Sequence, residues 1–298
     1  MYIMKKLFFI AFILHFFFNL HGQEVLEKYP VWYSQYMNCF PMINPASISV
    51  TDLLQVSTGV QRNVGFWSDY SDYFAIVSYK PRPTVVKNNG STFSMRFAGD
   101  KEGVYLYTSR LYGAYAWHTR VSEEFSFAGG MELGVINYSI KGTYSTGNRS
   151  TLALDGNVGL WFYSKHTHLG VSANQVLNSR MQPFNEVSIL SSYYSLTAGN
   201  EFIVSDFFSI KPIFVYTIYK AFVNDFDINM ISKTGNLVLA GTGYRANKGL
   251  MFLVGVQNIY LGRDAMTISL AYNMPVMKNV ININTLEFFV SYMPEKNK

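Results

Sequence analysis

Met266, Ile268, Leu270 and Tyr272 alternate with Thr267, Ser269, Ala271 and Asn273, and this two-residue rhythm over about ten residues constrains the fold more than any other feature. Such a segment has one apolar face and one face of polar or small residues, the pattern of a strand lying between two different environments. The rhythm recurs. Leu54, Val56 and Val60 oppose Gln55, Ser57, Gly59 and Gln61, and Leu169, Val171 and Ala173 oppose His168, Gly170, Ser172 and Asn174. Phe125, Phe127, Met131, Leu133 and Val135 oppose Glu124, Ser126, Gly130, Glu132 and Gly134, which predicts two carboxylates on an inward face. Leu250 to Val256 is apolar on both faces, as a strand packed inside against a plug or another apolar lining would be.

The amino terminus fixes the compartment. Lys5 and Lys6 precede an apolar run from Leu7 through Phe18, closed by Asn19 to Gly22, the arrangement of a cleaved export signal over 1–22. Its apolar core is shorter than the roughly 20 residues of a spanning helix. No later stretch approaches that length, so a membrane-resident chain of this sequence must cross as strands.

Composition agrees with a barrel. With 49% hydrophobic and 14% charged residues the chain is too apolar to stay disordered. Its 17% aromatic content suits interfacial girdles, and its 22 glycines are scattered through strand-like runs, where they relieve crowding. Turn signals at Asn88-Asn89-Gly90, Ala98-Gly99-Asp100-Lys101, Ser145-Thr146-Gly147-Asn148, Lys233-Thr234-Gly235-Asn236 and Ala246-Asn247-Lys248-Gly249 divide the chain into about 14 spanning strands. The expectation is an all-β transmembrane antiparallel barrel over 51–298, preceded by a plug-like extension over 23–50. A soluble β-sandwich is the structural alternative, because alternation does not say whether the apolar face meets lipid or a second sheet. The exporting leader, the aromatic load and the strand-like ending Leu286 to Tyr292 weigh against it.

Chemistry is sparse. His166 and His168 share a strand face, as do Asp225 and Asp227, but neither pair has a third ligand nearby in sequence. Glu124 and Glu132 stand roughly 26 Å apart along an extended strand at about 3.3 Å per residue, too far to act together. No nucleophile-elbow or phosphate-loop motif occurs, and the single cysteine, Cys39, reads as an incidental thiol. No cofactor or metal is expected. The net charge of +5 falls to about +3 without the two leader lysines and is too dispersed for nucleic acid. Arg62, Arg82, Lys87, Arg96, Arg110 and Arg120 are expected near strand ends, as solvated rim charges or contacts to outer-membrane lipid.

One segment stands apart: Trp32-Tyr33-Ser34-Gln35-Tyr36, a short spacer, then Ile43-Asn44-Pro45-Ala46, ahead of the first clear strand. This pattern resembles the mature amino terminus of the PorP/SprF family of the type IX secretion and gliding system of Bacteroidetes. Further matches lie in Asp155 to Ser164 followed by His168 to Val176, in Gln61-Arg62-Asn63, in Gly243-Tyr244-Arg245 and in Glu287. Gln175 stands where the family usually has histidine, and Asn284-Thr285-Leu286 replaces its usual Gly-Ser-His.

The resemblance implies a non-enzymatic outer-membrane component that docks or anchors exported proteins bearing a C-terminal sorting domain, such as a secreted adhesin, and meets periplasmic lipoproteins. Trp32, Tyr33, Ser34, Gln35, Tyr36, Asn44, Pro45 and Ala46 are then its candidate docking residues. A different class of function, a fatty-acid-channel-like barrel carrying small hydrophobic molecules past an N-terminal plug, fits the composition equally well. An apolar pocket in the lumen would favour it, and a filled lumen with an exposed aromatic patch at one rim would favour docking.

Overall fold

The computed structural model describes residues 26–30, 33–48, 54–65, 68–81, 89–142, 147–182, 188–220, 222–235, 237–246, 249–262, 264–276 and 283–294. The export signal expected over 1–22, together with Trp32, Arg82 and Lys87, falls outside them.

Fourteen antiparallel strands close into a barrel. After a short strand β1 (Leu26–Lys28) the wall runs through β2 (Leu54–Val64), β3 (Ser71–Tyr79), β4 (Asn89–Glu102), β5 (Leu106–Arg120), β6 (Ser126–Ile140), β7 (Arg149–Tyr163) and β8 (Thr167–Asn174). Two small strands, β9 (Arg180–Met181) and β10 (Ser188–Leu190), interrupt it. The wall resumes with β11 (Tyr193–Asn200) and its continuation β12 (Phe202–Ser205), then β13 (Phe208–Tyr219), β14 (Asp225–Thr234), β15 (Val238–Arg245), β16 (Gly249–Leu261), β17 (Asp264–Met274) and β18 (Asn284–Met293). Each wall strand pairs with its sequence neighbours, and β18 pairs with β2 from Asn284↔Val64 to Tyr292↔Val56, which closes the wall. Closure pairs the backbone of the first wall strand with that of the last, as a hydrocarbon environment demands, while β7 meets β8 over Val158 to Tyr163.

The period-two reading holds strand by strand. On β17, Ser269 and Ala271 are buried inward while Leu270 and Tyr272 face out, and on β2 Ser57, Gly59 and Gln61 point in while Val60 and Arg62 point out. Large apolar residues stand exposed all round the outer wall, among them Met131, Leu133, Leu154, Leu160, Val171 and Val254. On a soluble protein so continuous a patch would be a liability, whereas here it is the lipid-facing band.

Three expectations need correction. Ala98-Gly99-Asp100-Lys101 is no turn: it lies inside β4, and the reversal falls at 103–105, where Gly103 takes φ +70°. Gly99 serves packing instead, because any Cβ there would strike the ring of Tyr73 on β3. With β4 thus running to Glu102, Arg96 and Arg110 are not rim charges but lie on the inner face, Arg96 half-buried and Arg110 buried, whereas Arg62 and Arg120 are exposed. Of the two carboxylates expected inside, Glu132 is buried in the lumen and Glu124 sits exposed in the reversal between β5 and β6.

The two rims differ. At one, which also holds the start of β2 and the end of β18, the reversals at 121–125, 164–166 and 206–207 are short. At the other, the connection 175–192 carries β9 and β10, and β10 pairs in parallel with β1. Met181 and Leu190 from that connection pack on the inward-facing Tyr112, Ile136, Tyr138 and Ala153, so it folds over this end of the lumen.

Candidate functional site

Residues 33–48 fill the barrel. They form three consecutive 3-10 turns, Ser34–Asn38, Phe40–Met42 and Pro45–Ser47, a compact way to pack aromatics in every direction without a long helix. Pro41 and Pro45 fall within the first two positions of their turns, where a missing N–H costs nothing. The segment traverses the lumen. Tyr29 packs edge-on against Tyr219 at the long-connection rim, with ring centroids 4.8 Å apart. Ile48 packs on Ala114 and Ala116 and accepts the Thr92 hydroxyl at its carbonyl (2.8 Å) close to the short-turn rim, where β2 begins.

Two contacts define how it is held. The first is polar, and it lies where the two ends of the barrel sequence meet. Glu287 on β18, 1% exposed, accepts the backbone N–H of Ser34 at 2.8 Å and that of Gln35 at 3.1 Å, and its own carbonyl accepts from Gln35 Nε2 at 3.2 Å. Asn273 Nδ2 donates to the same carboxylate at 3.1 Å, and the Ser34 hydroxyl donates to Asn273 Oδ1 at 2.7 Å. Arg245 on β15 reaches the Ser34 hydroxyl at 3.2 Å while ion-paired to Asp227 at 3.0 Å across the β14–β15 ladder. Asn229 donates to the Tyr36 hydroxyl at 2.6 Å, and Ser269 donates to Gln35 Oε1 at 2.6 Å. This network of buried hydrogen bonds specifies a single seating of the segment.

The second contact is steric. Asn44-Pro45-Ala46 lies against β6, β7 and β8 at three inward glycines. A Cβ at Gly130 would stand 2.5 Å from the Ala46 Cα, and a Cβ at Gly159 or Gly170 would meet the Asn44 side-chain amide. With the wall stripped to backbone there, Asn44 Nδ2 donates to the carbonyls of Leu160 (3.1 Å) and Val171 (3.0 Å), and its Oδ1 caps the third turn by accepting the Ala46 N–H at 2.9 Å. The Ser172 hydroxyl adds a bond to the Ile43 carbonyl at 2.9 Å.

Apolar packing completes the seal. Tyr36, Met37 and Ile43 cluster with Met251, Leu253, Ile213, Val215 and Ile231, which explains why β16 is apolar on both faces. Burying each of these side chains is worth about 1.5–3 kcal/mol. Tyr33 and Cys39 pack with Phe74, Ile76 and Phe289, and burial pushes the Cys39 thiol up to about 12. Two further lumenal arginines are matched to carboxylates. Arg96 holds Glu132 bidentately (3.0 and 2.6 Å) beneath the Tyr112 ring, Asn157 donates to the same carboxylate at 2.6 Å, and Arg110 pairs with Asp100.

All the sequence-singled residues that fall in the described region, Tyr33, Ser34, Gln35, Tyr36, Asn44, Pro45 and Ala46, come together inside the lumen and are buried. Arg245 and Glu287, noticed in sequence only as family-like residues, prove to be their partners. Asp227, Asn229, Asn273 and the three glycines were not singled out for this contact. Their signal is their inward parity on strands whose other face is apolar. Among the described residues no cluster of three or more His, Cys, Asp or Glu side chains could hold a metal ion.

The comparisons agree with this architecture. A family model described as Type IX secretion system membrane protein PorP/SprF matches residues 25–292. No protein of curated function matches the chain in sequence. Among solved structures, the P. putida toluene transporter TodX superposes with a TM-score of 0.55 at 10% identity, over 86% of this chain and 93% of that one. The CymD monoaromatic hydrocarbon channel follows at 0.51 and 14%, over 89% and 94%, and a Pseudomonas aeruginosa FadL homologue at 0.52 and 8%, over 85% and 92%. At such identities the likeness is one of fold.

Proposed function

The chain belongs to the PorP/SprF family of type IX secretion system membrane proteins, and from that premise we propose that it is a non-enzymatic docking component of the outer membrane. In this reading the leader 1–22 is removed after export, 23–50 forms the plug and 51–298 the barrel of a Gram-negative outer membrane. Short turns mark the periplasmic side of such barrels and longer connections the outside. The rim bearing 121–125, 164–166 and 206–207 therefore faces periplasmic lipoproteins, and the rim bearing 175–192 faces exported proteins with C-terminal sorting domains, a secreted adhesin among them. The observation that carries the reading is the filled lumen. A barrel whose stopper is tied down by Glu287 and by the glycine seat is suited to present surfaces, not to pass cargo.

The channel reading draws on the hydrocarbon channels among the fold relatives. Against it, the inward apolar face of β16 that could have lined a hydrophobic pocket is spent on Tyr36, Met37 and Ile43. Affinity capture of the tagged protein from detergent-solubilised outer membranes, with mass spectrometry of what is retained, separates the two. Secretion-system lipoproteins or a sorting-domain protein support docking, and the barrel alone with small apolar molecules in its lumen supports transport.

A further inference from the structure

A cavity of about 230 Å³ remains beneath the stopper, opening at the short-turn rim. Its roof is Asn38 to Pro41 of the stopper, its mouth is the β7–β8 reversal with Lys165 and His166, and its wall includes Trp161, His168 and Lys211. At roughly 30 Å³ per water-sized group this is room for seven or eight heavy-atom groups.

Its charge is one-sided. Lys165, Lys211 and two histidines line it, together with hydroxyls such as Ser57 and Ser78, and among the described residues its lining contains no carboxylate. The neighbouring acid, Glu201, is already committed, to Lys233 at 2.9 Å and to the Ser209 hydroxyl at 2.9 Å. Lys211 forms no ion pair among the described residues, and its ammonium stands 5.4 Å from the Phe40 ring centroid. His168, 7% exposed, is stacked on Trp161 with centroids 5.0 Å apart, and its Nε2 is buried without a hydrogen-bond partner. Elsewhere in this lumen every described arginine on the inner face has its own carboxylate. The half-buried Lys211 ammonium and the idle ring nitrogen thus offer one cavity a cation and a ring nitrogen that a ligand's acceptor can meet.

We propose that this cavity is a binding site for a monocarboxylate with a short apolar portion, its carboxylate at Lys211 and His168 and its apolar part against Phe40 and Trp161. With Lys165 exposed at the mouth, the Lys211 ammonium on the wall matches a single negative charge, and the aromatic wall favours an occupant with an apolar portion. The carboxylate can belong to a free small acid or to the chain end of a peptide presented at the rim. The site stands on the cavity's own chemistry and does not depend on the docking reading.

The test is calorimetric titration of the full-length protein in a non-ionic detergent with hexanoate, with hexanamide, and with N-acetyl-Gly-Phe as free acid and as amide. Hexanoate is expected to bind at least tenfold more tightly than hexanamide. Lys211→Gln is expected to abolish that difference, and Lys211→Arg to keep most of it, each variant checked for its heat-modifiable gel shift. A peptide acid that outbinds hexanoate assigns the site to chain ends, and the reverse order assigns it to small acids. Equal binding of acid and amide, or no binding of any probe, overturns the site whether or not Lys211→Gln folds. An undiminished preference for the acid in folded Lys211→Gln also overturns it.

Discussion

The carboxylate of Glu287 accepts the backbone N–H of Ser34 at 2.8 Å, joining the last strand of the barrel to a stopper 253 residues earlier in the chain. Because the same carboxylate also holds Gln35 and Asn273, replacing it strands several buried donors at once. Leaving a buried N–H unmatched costs about 1–3 kcal/mol. Glu287→Ala is therefore expected to loosen the stopper while leaving the β2–β18 ladder, which is made by backbone, in place. The check is limited proteolysis of the folded variant: cleavage within 33–48 should accelerate at least tenfold with the barrel core intact.

Cys39 reports the same event from inside. It is 6% exposed, and burial pushes its thiol up to about 12, so almost no thiolate is present at neutral pH. Once displaced into water the thiol returns toward the ordinary value of about 8.5 and labels. Wild-type protein in detergent should resist maleimide at pH 7.5, and Glu287→Ala should label within minutes. Rapid labelling of the wild type would mean that the stopper is not seated as described.

Asp227 and Arg245 form a buried pair facing the stopper, with the arginine extended to Ser34. Removing one partner of such a pair leaves an uncompensated charge, at a cost of about 3–5 kcal/mol, whereas apolar replacement of both is far milder. Asp227→Ala should lower the thermal midpoint of the barrel more than the double change Asp227→Leu, Arg245→Met. A midpoint for the double variant at or below that of the single one would deny the pair its charge-balancing part.

The outer wall was legible because lipid enforces it: an apolar residue at every second position of β17 or β8 has no substitute in hydrocarbon. The closed count of fourteen strands followed from turn signals, and Gly235 and Gly249 do sit at reversals with φ of +60° and +109°. The lumen was less legible. Gly99 carries the same letter as a turn glycine, and only the Tyr73 ring beside it shows that it makes room within a strand. That misreading shortened β4 and moved Arg96 and Arg110 to the rim, although their spacing of two from Ser94 and Thr108 already placed them inside. The pairing of Tyr33 to Tyr36 with Arg245 and Glu287 could not be read, because nothing local in the sequence says which inward residue a separate segment will meet.

The glycine seat gives the sharpest test, because it separates space from charge. A Cβ at Gly130 would lie 2.5 Å from the Ala46 Cα, and the obstacle is backbone that cannot rotate away. Gly113 on the neighbouring strand has nothing within 4 Å of its Cβ direction, so it supplies a control of identical chemistry. Gly130→Ala is expected to push the third turn off the wall, breaking the Asn44 bonds to Leu160 and Val171, and to let ions through a lumen that is otherwise blocked. In planar bilayers the wild type and Gly113→Ala should stay closed, while Gly130→Ala should show openings. Matching traces for the two alanine variants would mean that the glycine at 130 is not what seats the stopper.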